Sequence, residues 1–272
     1  DPGQTYIYIA IRRGPMKVPT SGTTVFTPIA RTGTGATATV SNGITTDLII
    51  SHARNAVYST GVWDRLRGVA AYLETTGTAS ESTSSDSVTA LNNTAYVLGA
   101  DSATDRINRS GDTYANWTFS RAPSVFDVVA YTGTGSNATV GHGLGVAPSM
   151  VIVKCRGTAA REWPVYHSSL TSAAYVIFLN QTTGQANLPT VWNSTAPTST
   201  VFSLGTSGQS NEASTMVAYC FAPVAGYSAM GSYVGNGSTD GVFVYLGFRA
   251  RYLLIKETGN ANSWEVFDTS RN

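Results

Sequence analysis

Residues 25–43 read VFTPIARTGTGATATVSNG, and residues 125–143 read VFDVVAYTGTGSNATVGHG. Eleven of these nineteen positions are identical at an offset of 100 residues. A weaker third copy, YVGNGSTDG, starts at Tyr233, about 102 residues beyond Tyr131. Self-similarity at a fixed period marks a unit copied along a chain. The fold question is therefore what one unit is and how often it occurs.

The neighbouring sequence follows the same period. An apolar run comes next in each copy: Leu48-Ile49-Ile50, Met150-Val151-Ile152-Val153 and Leu253-Leu254-Ile255. A tryptophan follows each run, Trp63, Trp163 and Trp264, spaced 100 and 101 residues apart within VWDRLRG, EWPVYHS and SWEVFDT. Tyr72 and Tyr175 head a further strand, and Tyr96-Val97-Leu98-Gly99 answers Val201-Phe202-Ser203-Leu204-Gly205. YANWTFSRAP at 114–123 and MVAYCFAP at 216–223 close the two full copies. The chain thus divides into 1–24, the closing strand of a preceding unit; 25–124, a first full unit; 125–225, a second; and 226–272, the opening half of a third. Two readings of the ends stay open. The chain is an excerpt of a longer array, or the strand at 6–15 completes the last half-unit and closes the array on itself, as propellers do. The first is favoured, because a closed third unit would lack its AYVLG equivalent.

Alternation with period two dominates. Tyr6, Tyr8 and Ala10 share one face of a strand and Ile7, Ile9 and Ile11 the other, so both faces are apolar and the strand belongs inside. Turn signals such as Gly33-Thr34-Gly35, Asn42-Gly43, Gly133-Thr134-Gly135 and Asn236-Gly237 recur between the apolar runs. That is the pattern of an all-β sandwich or barrel. Helix is scarce: the best candidate, 51–73, carries Gly61 and Gly68 and no sustained 3.6-residue stripe, and no heptad repeat exists. The expected fold is all-β, with tandem antiparallel β-sandwich modules of about 100 residues. The recurrent Trp is expected to anchor each module's core, with a sugar-stacking platform as the alternative.

Charged residues make up 12% of the 272 residues, roughly half the ~25% of an ordinary soluble domain. Hydrophobic residues at 42% and aromatics at 10% are too many for a disordered chain, so hydroxyls and amides must cover the solvated faces. The net charge is +1, and no basic block exists beyond Arg12-Arg13. Neither a nucleic-acid footprint nor an anionic-membrane patch is expected. The charge-free stretch 216–231 is too short and broken to span a bilayer, and no secretory signal opens the sequence. Cys155 and Cys220 sit in apolar runs and read as small buried side chains. Spacing alone decides nothing about a disulfide, and two cysteines are too few for a metal site.

No catalytic set stands out. His142 lies in the turn GHGLG where the first copy has Asn42; His167 follows the Trp163 run, opposite Arg67 and Asp268 in the other copies; His52 has no evident partner. HExxH and G-x-S-x-G are absent, and Gly33-Thr34-Gly35 lacks the third glycine of a dinucleotide fingerprint. Asp64, Glu74, Asp86 and Glu162 are carboxylates of the kind a glycoside hydrolase would pair, but sequence brings no two together. The sequons at Asn116, Asn137, Asn180 and Asn193 arise by chance in so Asn- and Thr-rich a chain. A non-enzymatic protein without cofactor or metal is expected, and no binding residue is singled out.

FDVVAYTGTGSNATVGHGLGVAPSMVIVKCRG, WPVYHSSL, WNSTAPTSTVFSLGTSG, MVAYCFAP, GSYVGNGSTDGVFV and SWEVFDTSR together resemble a tandem-repeat family of tail-fibre and virion structural proteins of marine tailed phages. The resemblance is close over about 115–272 and more diverged over 1–114, where Trp63 lacks the VYHS signature and 78–90 is a Ser-rich insert. It implies a virion surface location, tandem β-domains, other virion proteins as partners, and a role in host attachment and receptor binding. Host surface glycans are the implied ligand class, and trimers are the usual fibre assembly. The family carries no active-site residues to transfer. Recognition is expected at loop tips such as 74–90 and 181–199. An architectural capsid-decoration or tail-spacer module and a bacterial surface adhesin are the alternatives, and neither nucleic acid nor membrane insertion is expected.

Overall fold

The computed structural model describes residues 19–102, 106–157 and 159–271. The strand expected at 6–15 lies outside the described residues. Among those residues the chain is nearly all β, arranged in antiparallel sheets, with two single helical turns and one 3-10 turn. The all-β expectation holds, and the stretch 51–73 consists of strands joined by turns and irregular backbone.

The first unit contains β1 (Phe26–Thr32), β2 (Ala38–Ser41), β3 (Leu48–Ala53), β4 (Gly61–Asp64), β5 (Ala71–Glu74), β6 (Ser82–Thr83), β7 (Val88–Leu91), β8 (Ala95–Leu98) and β9 (Thr113–Phe119). The second contains β10 (Phe126–Thr132), β11 (Ala138–Gly141), β12 (Met150–Cys155), β13 (Pro164–His167), β14 (Tyr175–Phe178), β15 (Ala186–Asn187), α1 (Pro189–Trp192), β16 (Val201–Leu204), α2 (Gly208–Asn211) and β17 (Thr215–Phe221). The last segment forms one hairpin, β18 (Tyr252–Ile255) and β19 (Glu265–Asp268).

Two six-stranded sheets have the same order, β1-β9-β3-β4-β5-β6 and β10-β17-β12-β13-β14-β15. A smaller sheet lies over each: β2-β8-β7 in the first unit, β11-β16 in the second, where α1 follows β15 as β7 follows β6. The returning strands β9 and β17 lie inside the large sheets, and their residues are buried on both faces, including the polar Asn116 and Thr118 of β9.

Each large sheet therefore has two buried faces. One meets its own small sheet, enclosing Ile49, Trp63, Tyr72, Tyr96 and Leu98 in the first unit. Val151, Tyr166, Val176, Phe202 and Leu204 do the same in the second. The opposite faces meet in a shared core, where Leu48, Val62 and Leu73 pack with Val128, Ile152, Trp163, Val165 and Tyr219. Rings from all three segments converge there: Phe119 lies 5.4 Å from Phe126 and 5.7 Å from Phe221, and Phe26 lies 5.4 Å from Tyr252. The large core of this chain lies between units as much as within them.

Strand pairing fixes which residues are equivalent, and it corrects the sequence alignment. Leu48 pairs with Asp64 and Phe119, Met150 pairs with His167 and Phe221, and Tyr252 pairs with Asp268. Counting back along the hairpins, Trp63 matches Tyr166 and Phe267, not the other tryptophans. Trp163 matches Trp264 and Thr60. Trp63 is accordingly buried against its own small sheet, whereas Trp163 is buried in the shared core and Trp264 packs partly buried against it. The expectation of one core tryptophan per unit is overturned. Loops of different length before β3 and β4 shift the offset from 100 to 103, and a spacing of 100 between tryptophans conceals the slip. Tyr72 and Tyr175 are likewise one position out of register, on opposite faces of their strands.

Candidate functional site

The most repetitive stretch, Thr-Gly-Thr-Gly, forms a turn held by one buried asparagine. Thr34 donates its backbone N–H to Asn108 Oδ1 (3.1 Å), and Asn108 Nδ2 donates to the carbonyls of Ala36 (2.8 Å) and Gly99 (2.6 Å). In the second unit Thr134 donates to Asn211 Oδ1 (2.8 Å), and Asn211 Nδ2 donates to Ser136 (2.6 Å) and Gly205 (2.7 Å). A Cβ at Gly33 or Gly133 would strike the carbonyl oxygen of Arg109 or Glu212, so close backbone approach requires glycine at both. The turn is a structural joint whose amides are already used. Sequence alone did not single out Asn108 and Asn211, since each lies more than 70 residues from its turn.

Functionally suggestive side chains gather at the junctions between units, in two devices. In the first device, Trp163 Nε1 donates to the carbonyl of Glu74 (2.9 Å) in the preceding unit, and Lys154 Nζ donates to the carbonyls of Thr78 (3.0 Å) and Arg161 (2.5 Å). One junction further on, Trp264 Nε1 donates to Phe178 O (2.9 Å), and Lys256 Nζ donates to Thr182 O (2.9 Å) and Asn262 O (2.7 Å). A backbone bond accompanies each: Glu81 N–H to Arg156 O (3.1 Å) and Gln185 N–H to Thr258 O (2.8 Å). Every pair occupies matching strand positions. Burying an indole is worth about 4 kcal/mol or more on area grounds, against about 1 kcal/mol net for its hydrogen bond, so packing holds the junction and the bond orients it. Burial pushes the Lys154 ammonium down to about 8, against the opposing pull of Cys155 and Glu162.

In the second device, Asp64 and Arg67 form an ion pair at 2.5 Å with both side chains fully buried. Tyr219 of the second unit donates its hydroxyl to Asp64 Oδ2 (2.8 Å). Arg67 also reaches Glu81 Oε2 (3.0 Å) and the carbonyl of Val62 (2.9 Å), and Glu81 accepts two bonds from Arg156 (2.9 Å each). Burial opposes the Arg67 charge, but Tyr219, Asp64 and Glu81 outweigh it and hold the guanidinium above its ordinary range. The same device joins the last segment to the first unit: Asp268 pairs with Arg271 at 2.6 Å and accepts from Trp117 Nε1 at 3.0 Å. Trp117 and Tyr219 are equivalent positions on β9 and β17.

The residues weighed for catalysis are spread among these structural roles. His142 Nδ1 accepts from Leu144 N–H (3.3 Å), just as Asn42 Oδ1 accepts from Ile44 N–H (3.3 Å), so the side chain braces the turn, and neither residue has a positive φ. His52 Nδ1 lies 2.9 Å from Thr60 Oγ1, and His167 Nδ1 accepts from Ser169 N–H (3.1 Å). Strand pairing puts His167 at the position of Asp64 and Asp268, and Leu170 at that of Arg67 and Arg271, which corrects the match read from sequence. Of the four carboxylates, Asp64 pairs with Arg67, Glu74 with Arg106 (2.7 Å), Asp86 accepts from Ser84 and Ser102, and Glu162 accepts from Asn180. Cys155 and Cys220 are buried free thiols. Among the described residues, no three His, Cys, Asp or Glu gather in a way that would hold a metal ion.

The loop tips divide in two. The segments 75–81 and 179–185 reach across to the next unit through the carbonyls and amides just described. The later part of the second loop, 193–200, remains at the surface and is almost wholly exposed. Its base is stiff: Trp192 is buried at the end of α1, Asn193 and Ser194 adopt left-handed backbone (φ 51° and 47°), and Thr195 N–H bonds to Trp192 O (3.0 Å). A cleft of about 480 Å³ opens between the first unit and the last segment, lined by His52, Ala53, Arg54, Phe267, Asp268 and Arg271 among others. It lies where the Lys and Trp device is missing, His52 and Thr60 standing at those positions.

The family whose description is a domain of unknown function, DUF7483, matches residues 21–272. No curated protein and no solved structure matches the chain. The match covers the whole of both full units and the last segment, and the chain is a member of the DUF7483 family.

Proposed function

We propose that the chain is a stackable part of a virion surface appendage of the tail-fibre type, built from tandem antiparallel β-sandwich modules of about 100 residues. In this reading 25–124 and 125–225 are complete modules and 226–272 is the opening half of a third. The observation that carries it is the recurrence of one junction device, Trp163 with Lys154 and then Trp264 with Lys256, at two successive boundaries. A unit that presents the same carbonyls at one end and the same donors at the other is suited to serial stacking. The role is mechanical and adhesive rather than catalytic, in keeping with side chains whose hydrogen bonds are spent on holding units together. Other virion proteins and host surface glycans are the partners this reading requires.

Recognition falls to the exposed polar tip 193–200, which weak binding to repeated glycans would use through several copies at once. The test is binding of the purified chain to host cells or glycan arrays. Exchange of 194–199 for a Gly-Ser segment abolishes binding if the tip is the reader. A wild-type chain that binds no cell and no glycan overturns the adhesive role and leaves a spacer or decoration module.

A further inference from the structure

The clasp between the first two units seats one carboxylate between two arginines. Arg156 of the second unit grips Glu81 with two bonds, Nε to Oε2 and Nη2 to Oε1 (2.9 Å each). Arg67 of the first unit reaches the same carboxylate through Nη1 (3.0 Å), its Nε being given to Asp64 and its Nη2 to the Val62 carbonyl. The planar fork of a guanidinium suits it to such two-armed holding of an anion.

Both arginines have counterparts where the last segment meets the first unit. Arg54 donates its backbone N–H to Thr113 O (2.7 Å) just past β3, as Arg156 donates to Thr215 O (2.8 Å) just past β12, so the two side chains leave equivalent points of their units. Arg271 gives Nε to Asp268 (2.6 Å) and Nη2 to the Val266 carbonyl, as Arg67 does with Asp64 and Val62. Its Nη1 then corresponds to the arm that Arg67 extends to Glu81. Arg54 and Arg271 line the cleft of about 480 Å³ together, and Arg54 Nη2 donates to Arg271 O (3.3 Å). The room comes from the smaller side chains of His52 and Thr60, which stand where the first junction has Lys154 and Trp163. Such a volume lies within the range of about 300–1,000 Å³ typical of small-molecule sites.

Charge decides what the cleft suits. At the first junction two guanidiniums, Arg67 and Arg156, balance two carboxylates, Asp64 and Glu81. At the cleft, among the described residues, Arg54 and Arg271 stand with Asp268 alone, so two positive charges meet one negative and a monoanion restores the balance. Asp268 is no obstacle, since it accepts from Trp117 and Arg271 just as Asp64 accepts from Tyr219 and Arg67 while Glu81 sits nearby. Burial, and then the charge of Arg271, lower His52, which keeps its ring neutral near pH 7. Phe267, 54% exposed, supplies an apolar wall. We propose that the cleft binds a carboxylate carried on a compact ring, an acidic sugar of the hexuronate type, seated between Arg54 and Arg271 as Glu81 is seated between Arg156 and Arg67. The Phe267 face packs on the apolar face of the sugar ring. The site needs neither the virion reading nor the exposed tip 193–200.

The full 272-residue chain, labelled with nitrogen-15, is titrated with galacturonate and separately with galactose while the arginine Nε–H resonances are followed. The expected result is a saturable shift at Arg54 and Arg271 with galacturonate, no shift at Arg67 and Arg156, and no response to galactose. Arg54 is exposed, so Arg54→Ala leaves the melting temperature unchanged and weakens galacturonate binding about tenfold or more, the worth of a charge-assisted hydrogen bond. Arg54→Lys, which keeps the charge without the fork, restores only part of the affinity. A folded wild-type chain with no saturable shift overturns the proposal, and so does an affinity that Arg54→Ala leaves unchanged. An equal response to the two sugars removes the carboxylate from the recognition and overturns it as well. Before any sugar is added, Nε–H exchange at Arg54 should be faster than at the clamped Arg156. Exchange as slow at Arg54 would mean that the polypeptide seats a carboxylate of its own there, which also contradicts the proposal.

Discussion

Among the described residues, the junction between the first and second units carries both linking devices, whereas each of the other two boundaries carries one. Between units one and two, Trp163 and Lys154 grip carbonyls from one side while Tyr219, Asp64 and Arg67 clasp from the other. Among the described residues, Trp264 and Lys256 serve between the second unit and the last segment, and Trp117, Asp268 and Arg271 between the last segment and the first unit. The contrast separates two sources of cohesion. The first device relies on packing of an indole and tolerates partial exposure. The second relies on charge, and buried charge stabilises only while every partner is in place.

That contrast can be broken at its centre. Asp64→Ala leaves the fully buried Arg67 with only Glu81 as a carboxylate partner and Tyr219 without its acceptor, and should cost about 3 kcal/mol in denaturant unfolding. Asp268→Ala should cost clearly less, because Arg271 is 26% exposed and water can take over its solvation. Equal losses would mean that burial does not distinguish the two boundaries. Removing only the phenolic donor is a milder intervention. Tyr219→Phe should cost about 1–3 kcal/mol, the range for a hydrogen bond to a charged group and its unsatisfied acceptor. Unchanged stability would show that Arg67 alone satisfies Asp64.

The smallest effect tests the other device through pH. Lys154 titrates near 8 in the folded chain, below the ordinary lysine value of 10.5. Between those two values the unfolded chain binds more protons than the folded one, so the lysine's contribution makes stability rise with pH. Below 8 both states are protonated and the burial cost is felt in full. Lys154→Met should flatten the rise measured between pH 8 and 10, and a slope unaffected by the substitution would place the ammonium in an ordinary environment. The window narrows from about 9, where the Cys220 thiol, raised by burial, acts in the opposite direction, and closes near 10, where tyrosines such as Tyr219 join it.

Much of the strand pattern was legible in the sequence, because alternation and turn residues are local signals. The eleven identities around Thr-Gly-Thr-Gly mark equivalent turns, and within the match of Tyr96–Gly99 to Val201–Gly205 strand pairing sets Tyr96 at Phe202. The tryptophans were not. Trp63 and Trp163 are 100 residues apart, yet hairpin pairing sets them three positions out of step, since spacing records neither loop length nor register. The clasp was also hidden. Asp64 and Tyr219 are 155 residues apart, and nothing local distinguishes a carboxylate bound for burial from one bound for solvent. The loops 74–90 and 181–199 were rightly seen as polar, but polarity does not reveal that their early residues offer carbonyls to the neighbouring unit.

Those carbonyls have a consequence for how such chains vary. Trp163, Lys154, Trp264 and Lys256 all address main-chain oxygens; the tryptophans' acceptors, Glu74 and Phe178, differ in charge and size, while the lysines' acceptors, Thr78 and Thr182, are alike. A neighbour is thus accepted for the path of its backbone and not for its spelling. Copies that drift apart, or are exchanged by recombination, still interlock without matched mutations on the other side, and their outward tips are at liberty to diversify.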